Sequence, residues 1–439
     1  MPIPTKDPET PSLESDPINF RRILVMTTLI IAGETVFLLP FVVPRIFRPT
    51  LLDVFDLNNL QLGIAFSIYG IVAMLAYFAG GPLSDRFSAR RLMAIALFTT
   101  SLGGILLANT PPLNVLMWLY GFWGLTTILL FWAALIRATR EWGGQNSQGR
   151  AYGVLDGGRG LVAALLASIS VAIFAALLPS DPADATLVER TDALMQIIWI
   201  FTGFVVFAAT LVWVVVPEGP SKSKTASSKR LTFTGVKEVI RLPSIWLQAI
   251  IVLCAYVSFK GTDDFSLYAY DAFGYDDVAA AQIGTVSYWV RPFAAIAAGI
   301  LGDRIGISKV VLWSFVLLMI GCLVIALGMV PPGIYWLLVL TVVGTSLGIY
   351  ALRGIYFALF QEANIPLAIT GSAVGLVSVL GFTPDIFMGP IMGYLIDRSP
   401  GVLGHQHVFG MIAGFALIGL VAVLTFRRIT NKQREMADG

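Results

Sequence analysis

Residues Gly81-Pro82-Leu83-Ser84-Asp85-Arg86-Phe87-Ser88-Ala89-Arg90-Arg91 read as a short basic turn between two long apolar runs. A related segment, Gly299-Ile300-Leu301-Gly302-Asp303-Arg304-Ile305-Gly306, returns 218 residues later (299 against 81), about half of the 439-residue chain. A polar segment repeated at half-chain spacing predicts two units of similar build.

The apolar runs on either side decide the solvent. Hydrophobic residues make up 56% of the chain and charged residues 13%, against about 25% charged in soluble domains. Lipid is the medium that accommodates such a composition. Twelve runs are long enough to cross a bilayer: 23–44, 60–82, 92–109, 113–136, 151–178, 193–216, 244–270, 279–301, 310–330, 333–360, 366–394 and 406–426. The fold class is therefore an all-α integral membrane protein. The run after Arg21-Arg22 is too long for a signal-peptide core and is read as a retained first helix.

Charge asymmetry orients the spans. With the N-terminus in the cytoplasm, the inner segments hold 21 Lys and Arg. The outer loops hold four, Arg45, Arg48, Arg190 and Arg398, and the spans hold four. The positive-inside rule then predicts both ends in the cytoplasm of the inner (plasma) membrane. Five parts follow: an N-terminal tail 1–22, a six-helix unit 23–216, a Ser/Lys-rich linker 217–243, a second six-helix unit 244–426 and a tail 427–439. Within the linker, 234–242 reads as a short interfacial helix. A second repeat supports the duplication: Ala151-Tyr152-Gly153-Val154-Leu155-Asp156 parallels Ala373-Val374-Gly375-Leu376-Val377-Ser378 at an offset of 222 (373 against 151).

These residues resemble the signature loop of the major facilitator superfamily, which lies between helices two and three and recurs between eight and nine. The first copy matches at Gly81, Leu83, Asp85, Arg86, Arg90 and Arg91, with Ser88 and Ala89 in place of the usual Gly and Arg. The second keeps Gly299, Asp303, Arg304 and Gly306. The resemblance implies two six-helix bundles facing across a central cavity, walled mainly by helices 1, 4, 7 and 10, with alternating access. It also implies a conformational gate at Gly81, Asp85, Arg86, Arg90, Asp303 and Arg304. Asp85 there accepts from a helix N-terminus and pairs with a cytoplasmic arginine such as Arg137. Helix five lacks the Gly-Pro motif of proton-driven drug exporters, reading Gly153-Val154-Leu155-Asp156-Gly157-Gly158-Arg159-Gly160. Phe131 to Arg137 and Arg353 to Phe357 are similar to stretches of organic-anion and sugar-phosphate uptake carriers.

Ionisable residues at membrane depth are functional candidates by their energetic cost. Nine stand out: Glu34, Asp156, Arg159, Lys260, Asp263, Asp264, Arg291, Arg353 and Asp385. Arg291, Lys260 and Arg353, with Tyr256 and Trp132, are the expected substrate contacts, because a guanidinium fork suits carboxylate or phosphate. Glu34, Asp385 and Asp264 are the expected proton-coupling groups. Pairing is the competing reading for each, Glu34 with Arg291 and Arg159 with Asp156. Cys254 and Cys322 read as packing residues, and His405 and His407 as surface residues of an outer loop.

The expected function is proton-coupled transport of a small polar, anionic organic solute, with drug or metabolite efflux as the alternative. Small solute, protons and lipid are the expected partners of a monomer. No cofactor, metal, nucleic acid or enzymatic activity is expected. The chain lacks a nucleotide-binding loop.

Overall fold

The computed structural model describes residues 20–143, 148–218, 240–363 and 367–438. Each of the twelve apolar runs becomes helix. The first, α1, is bent by 41° between Phe20–Thr35 and Leu38–Ile46. A short helix, Arg48–Val54, follows it. The N-terminal half continues with α2 (Asn59–Arg86), α3 (Ala89–Leu107), α4 (Leu113–Gly143), α5 (Gln148–Leu177) and α6 (Leu187–Val215). The second half holds α7 (Pro243–Phe273), α8 (Asp277–Ile305), α9 (Ile307–Ala326), α10 (Tyr335–Glu362), α11 (Leu367–Gly381, then Pro384–Arg398) and α12 (Val402–Asp438). Among the described residues ten helices are long and apolar enough to cross a membrane, and the bent α1 makes eleven. The remaining run, α8, has the length at 29 residues, but Arg291 and Pro292 interrupt its apolar middle.

Local chemistry starts the helices where the sequence turns polar. Asn58 and Gln61 form a reciprocal capping box at α2, and Thr186 and Glu189 do the same at α6. Asp276 accepts from the backbone N–H groups of Val278 and Ala279 at 2.8 and 2.9 Å to open α8. The outer faces stay apolar: Trp118 is 81% exposed and Val214 72%. That surface suits lipid and not water.

The opening basic segment is not the turn the sequence suggested. Residues 81–86 complete the last turns of α2, and the chain reverses only at Phe87 and Ser88. Ser88 caps α3 by accepting from the Arg91 N–H at 3.4 Å. A serine cap replaces the glycine turn, so the departure from the usual pattern still supports a sharp reversal. The expected interfacial helix at 234–242 lies largely outside the described residues.

Two seams join the halves, α2 against α11 and α5 against α8. Glycine makes the first seam close. A side chain at Gly63 would strike the backbone of Gly389, and one at Gly70 the backbone of Asp385. At the end opposite the termini, hereafter the far end, Asp397 of α11 accepts from the N–H groups of Asn59 and Leu60 at 3.1 and 2.8 Å. A carboxylate of one half thereby satisfies the helix N-terminus of the other.

Candidate functional site

A cavity of about 160 Å³ lies between the halves. By the measure that one water needs about 15 Å³, it has room for about ten waters or a small solute. Two of its walls are built on π-helical turns, Leu38–Val42 in α1 and Leu125–Trp132 in α4. Phe41 and Trp132 from these segments line the space, with Phe37 just before the first. Such widened turns often mark functional positions.

Three charged groups divide the wall. In the first, Glu34 of α1 sits between Arg159 of α5 at 3.3 Å and Arg291 of α8 at 3.2 Å. Asp156 adds contacts of 3.7 Å to Arg159 and 3.5 Å to Arg291. The Arg159 Nε–H also donates to the Gly33 carbonyl at 3.1 Å, and its guanidinium lies 5.4 Å from the Trp132 ring. The second group centres on α7. Lys260 Nζ stands 3.3 Å from Asp263 and 3.4 Å from Asp385, and the Tyr256 hydroxyl donates to Asp385 at 3.0 Å. Asp263 also accepts from Arg45 Nε at 2.6 Å. The third is Arg353 of α10. Its guanidinium packs 3.7 Å from the Phe259 ring and 5.6 Å from that of Tyr256, and its Nη1 is buried without a hydrogen-bond partner.

The far end is closed by polar contacts between halves. Arg45 reaches Asp263 and Tyr288, and Arg48 donates to the Asp263 carbonyl at 3.1 Å. The Thr50 hydroxyl donates to Asp277 at 2.6 Å, and Arg190 stands 3.4 Å from the same carboxylate. Exposure then rises toward the end carrying the termini. Arg45 is 7% exposed, Tyr77 39%, and the Asp156 side chain 52%. The cavity therefore opens toward the termini.

Most expected cavity residues meet there: Glu34, Trp132, Tyr256, Lys260, Arg291, Arg353 and Asp385 all line one space. Asp264 does not. Its side chain turns to α12, where its Oδ2 lies 2.7 Å from His405 Nδ1. The tight turn Gly261–Asp264 sends neighbouring carboxylates to opposite sides. His405 is correspondingly not a surface residue but fully buried, because α12 begins at Val402 and packs it against α7; His407 is exposed. Arg45 and Arg48 are buried rather than loop residues, since the first apolar run continues through them as helix. Cys254 and Cys322 are buried free thiols.

At the end carrying the termini, Arg137 donates to the Ser84 carbonyl, to the Phe87 carbonyl at 3.2 Å and to Glu141 at 2.8 Å. It thus clasps α4 to the signature segment within one half. Arg90 pairs with Glu218 at 3.0 Å and packs 5.1 Å from the Trp213 ring. Arg86, Asp303 and Arg304 are exposed. The side-chain environments of Gly81 and Asp85 lie outside the described residues.

Comparison with known proteins agrees with this geometry. The family description Major Facilitator Superfamily matches residues 23–382. The chain belongs to the major facilitator superfamily. This facilitator is 27% identical over 419 residues to inner membrane protein YqcE of Escherichia coli K12, covering 93% of this chain and 95% of that one. It is 23% identical over 403 residues to a hexuronate transporter of Bacillus subtilis 168, covering 87% and 89%. A crystal structure of the nucleoside transporter NupG superposes with a TM-score of 0.67 at 15% identity, covering 92% of this chain and 98% of that one. The facilitator is a multi-pass membrane transporter, and its role is transport and not enzymatic catalysis.

Two residues of this facilitator's site carry little signal in the sequence. Arg45 reads as a loop residue, although Pro44-Arg45 sits inside an apolar stretch that runs on to Leu52. Phe259, which supports Arg353, has nothing in the sequence that sets it apart from the other aromatics.

Proposed function

We propose that this facilitator carries a small organic monoanion by alternating access, with Arg353 as the contact for the anionic group. The observation that carries the reading is the buried, unpartnered Nη1 of Arg353 in the cavity wall. The other basic wall residues, Arg45, Arg159, Lys260 and Arg291, each have a carboxylate within 4 Å. Among the described residues, these five cations meet four carboxylates, Glu34, Asp156, Asp263 and Asp385, so one positive charge is left for a solute to neutralise. An unpaired guanidinium in a low-dielectric wall is costly until an anion arrives. The flat guanidinium, held on Phe259, presents its fork edge to a carboxylate or phosphate. The tyrosine side chain of Tyr77 in the same wall suits a solute that bears hydroxyl groups. The hexuronate transporter among its relatives is in keeping with an acidic, hydroxylated cargo.

Asp385 is the proposed proton-coupling group. It is held by one lysine and one tyrosine, and its side chain is 19% exposed to the cavity. Protonating it would release Lys260 toward Asp263 or toward a bound anion. Glu34, held between two arginines, would leave both underneutralised on protonation and instead fastens α1 to α5 and α8. With no bare carboxylate there among the described residues for a cationic drug, the observations favour anion uptake over drug efflux. The positive-inside bias supports a reading with both termini in the cytoplasm of the inner membrane, in which this is an inward-open state. A thermal-shift screen of small anions on the purified protein tests the reading. Hydroxylated monocarboxylates should stabilise the wild type and lose that effect in Arg353→Ala. Stabilisation that survives the substitution would sink it.

A further inference from the structure

We propose that His405, Asp264 and Asp271 form a proton-binding site that holds the far end of the transporter closed. The site lies behind the cavity wall, between α7 and α12. His405 is fully buried; its Nδ1 is 2.7 Å from Asp264 Oδ2 and its Nε2 is 3.0 Å from Asp271 Oδ2. A neutral imidazole carries one N–H. Two contacts with carboxylate oxygens at these distances need two protons. The three groups therefore hold one proton more than a neutral histidine and two carboxylates would. That proton rests on the ring or on one of the acids. Asp264 Oδ1 is itself buried and lacks a hydrogen-bond partner, so His405 is the group that holds this carboxylate. The Asp271 side chain is 25% exposed and connects the cluster to water.

The surroundings add little charge. On α7, Tyr268 has its ring 5.4 Å from the imidazole, while Lys260 lines the cavity and Asp263 is engaged by Lys260 and Arg45. On α11, Asp385 is engaged by Lys260 and Tyr256, and Asp397 by Asn59 and Leu60. On α12, His407 faces outward. On α9, Lys309 lies in the first turn, at the end carrying the termini. Among the described residues, Asp264 and Asp271 are the charged groups in contact with His405.

The link to the gate is covalent. Asp263 and Asp264 are consecutive residues of one tight turn. Asp263 accepts from Arg45, and its carbonyl accepts from Arg48, which together tie the halves. Asp264 ties the same turn to α12, and the stacked rings of Phe265 and Phe409, 5.8 Å apart, reinforce it. Loss of the extra proton sets a nitrogen lone pair against a carboxylate oxygen at about 3 Å, which is repulsive. One of the two ties between α7 and α12 is then lost, and the Arg45–Asp263 closure loosens. The sign follows: the closed far end is the protonated form. One proton changes the closed-to-open ratio by up to about tenfold per pH unit, in favour of opening as pH rises.

Pulsed electron-spin distance measurements in lipid nanodiscs test this without any solute. The inference rests on alternating access but not on the anion reading, so the two fail separately. Labels go on Asp184→Cys and Met329→Cys, exposed far-end sites of the two halves; the native cysteines are buried. The short-distance population of the wild type should fall as pH rises from about 6 to about 10. His405→Gln should abolish that response. Asp271→Asn should keep the far end closed across the range, because its amide N–H can donate to the imidazole lone pair without a second proton. A wild-type distribution unchanged by pH overturns the proposal. So does a His405→Gln protein with the wild-type response, or an Asp271→Asn protein that opens at every pH. If His405→Gln does not fold, Asp271→Asn decides alone.

Discussion

Glu34 and Arg291 meet at 3.2 Å from opposite halves of the transporter. They stand on α1 and α8, 257 positions apart in sequence, and share Arg159 and Asp156 as neighbours. A buried carboxylate between two guanidinium groups is a fastener whose removal leaves two cations with only Asp156 to neutralise them. Glu34→Gln should therefore destabilise the protein by about 3–5 kcal/mol. Melting temperature should fall clearly, and the double change Glu34→Gln with Arg291→Gln should recover part of the loss. Thermal unfolding of the two variants checks this; no recovery in the double variant would mean that the pair is not coupled.

Arg353 should behave in the opposite way. It has no carboxylate partner to strand, so Arg353→Ala removes an unpaired charge and a ring contact of about 0.5–2 kcal/mol. Stability should stay within about 2 kcal/mol of wild type, while uptake falls by about a hundredfold or more. Arg353→Lys should recover a minority of transport, since a point charge lacks the fork. Uptake in proteoliposomes, set beside melting temperature, separates the two effects.

Asp385 carries the proposed coupling, so Asp385→Asn should leave solute exchange intact and abolish its dependence on a proton gradient. Tyr256→Phe removes the hydroxyl that donates to Asp385 at 3.0 Å. It should shift the pH profile of uptake without abolishing transport. Counterflow measured beside gradient-driven uptake reports on each. Gradient-driven accumulation that persists in Asp385→Asn would move the coupling elsewhere.

Gly63 lies against the backbone of Gly389 across the α2–α11 seam. A methyl group there has no room unless the helices part. Gly63→Ala should destabilise the far-end-closed state by about 1–3 kcal/mol, the usual range for overpacking. Cysteine accessibility at far-end positions should rise accordingly. Unchanged accessibility would show that the seam yields without opening.

Much of this architecture was legible in the sequence, because membrane helices obey local rules. Apolar runs of about 20 residues must be helical in lipid. The repeated Gly-x-Leu-small-Asp-Arg core marked the two halves, and the intramembrane charges named several residues of one cavity. What each charge does was not legible. Asp263 and Asp264 are adjacent and chemically identical, yet one pairs with Arg45 of the other half and the other with His405. A tight turn in α7 decides that, and its direction is set by packing on α1 and α12. Arg291 and Arg353 looked equivalent from sequence. Only the crossing of α1, α5 and α8 gave Arg291 a carboxylate, and only the placing of α10 left Arg353 without one. Local composition fixes which segments enter lipid; the partners of their charges depend on contacts hundreds of residues apart, which no local pattern encodes.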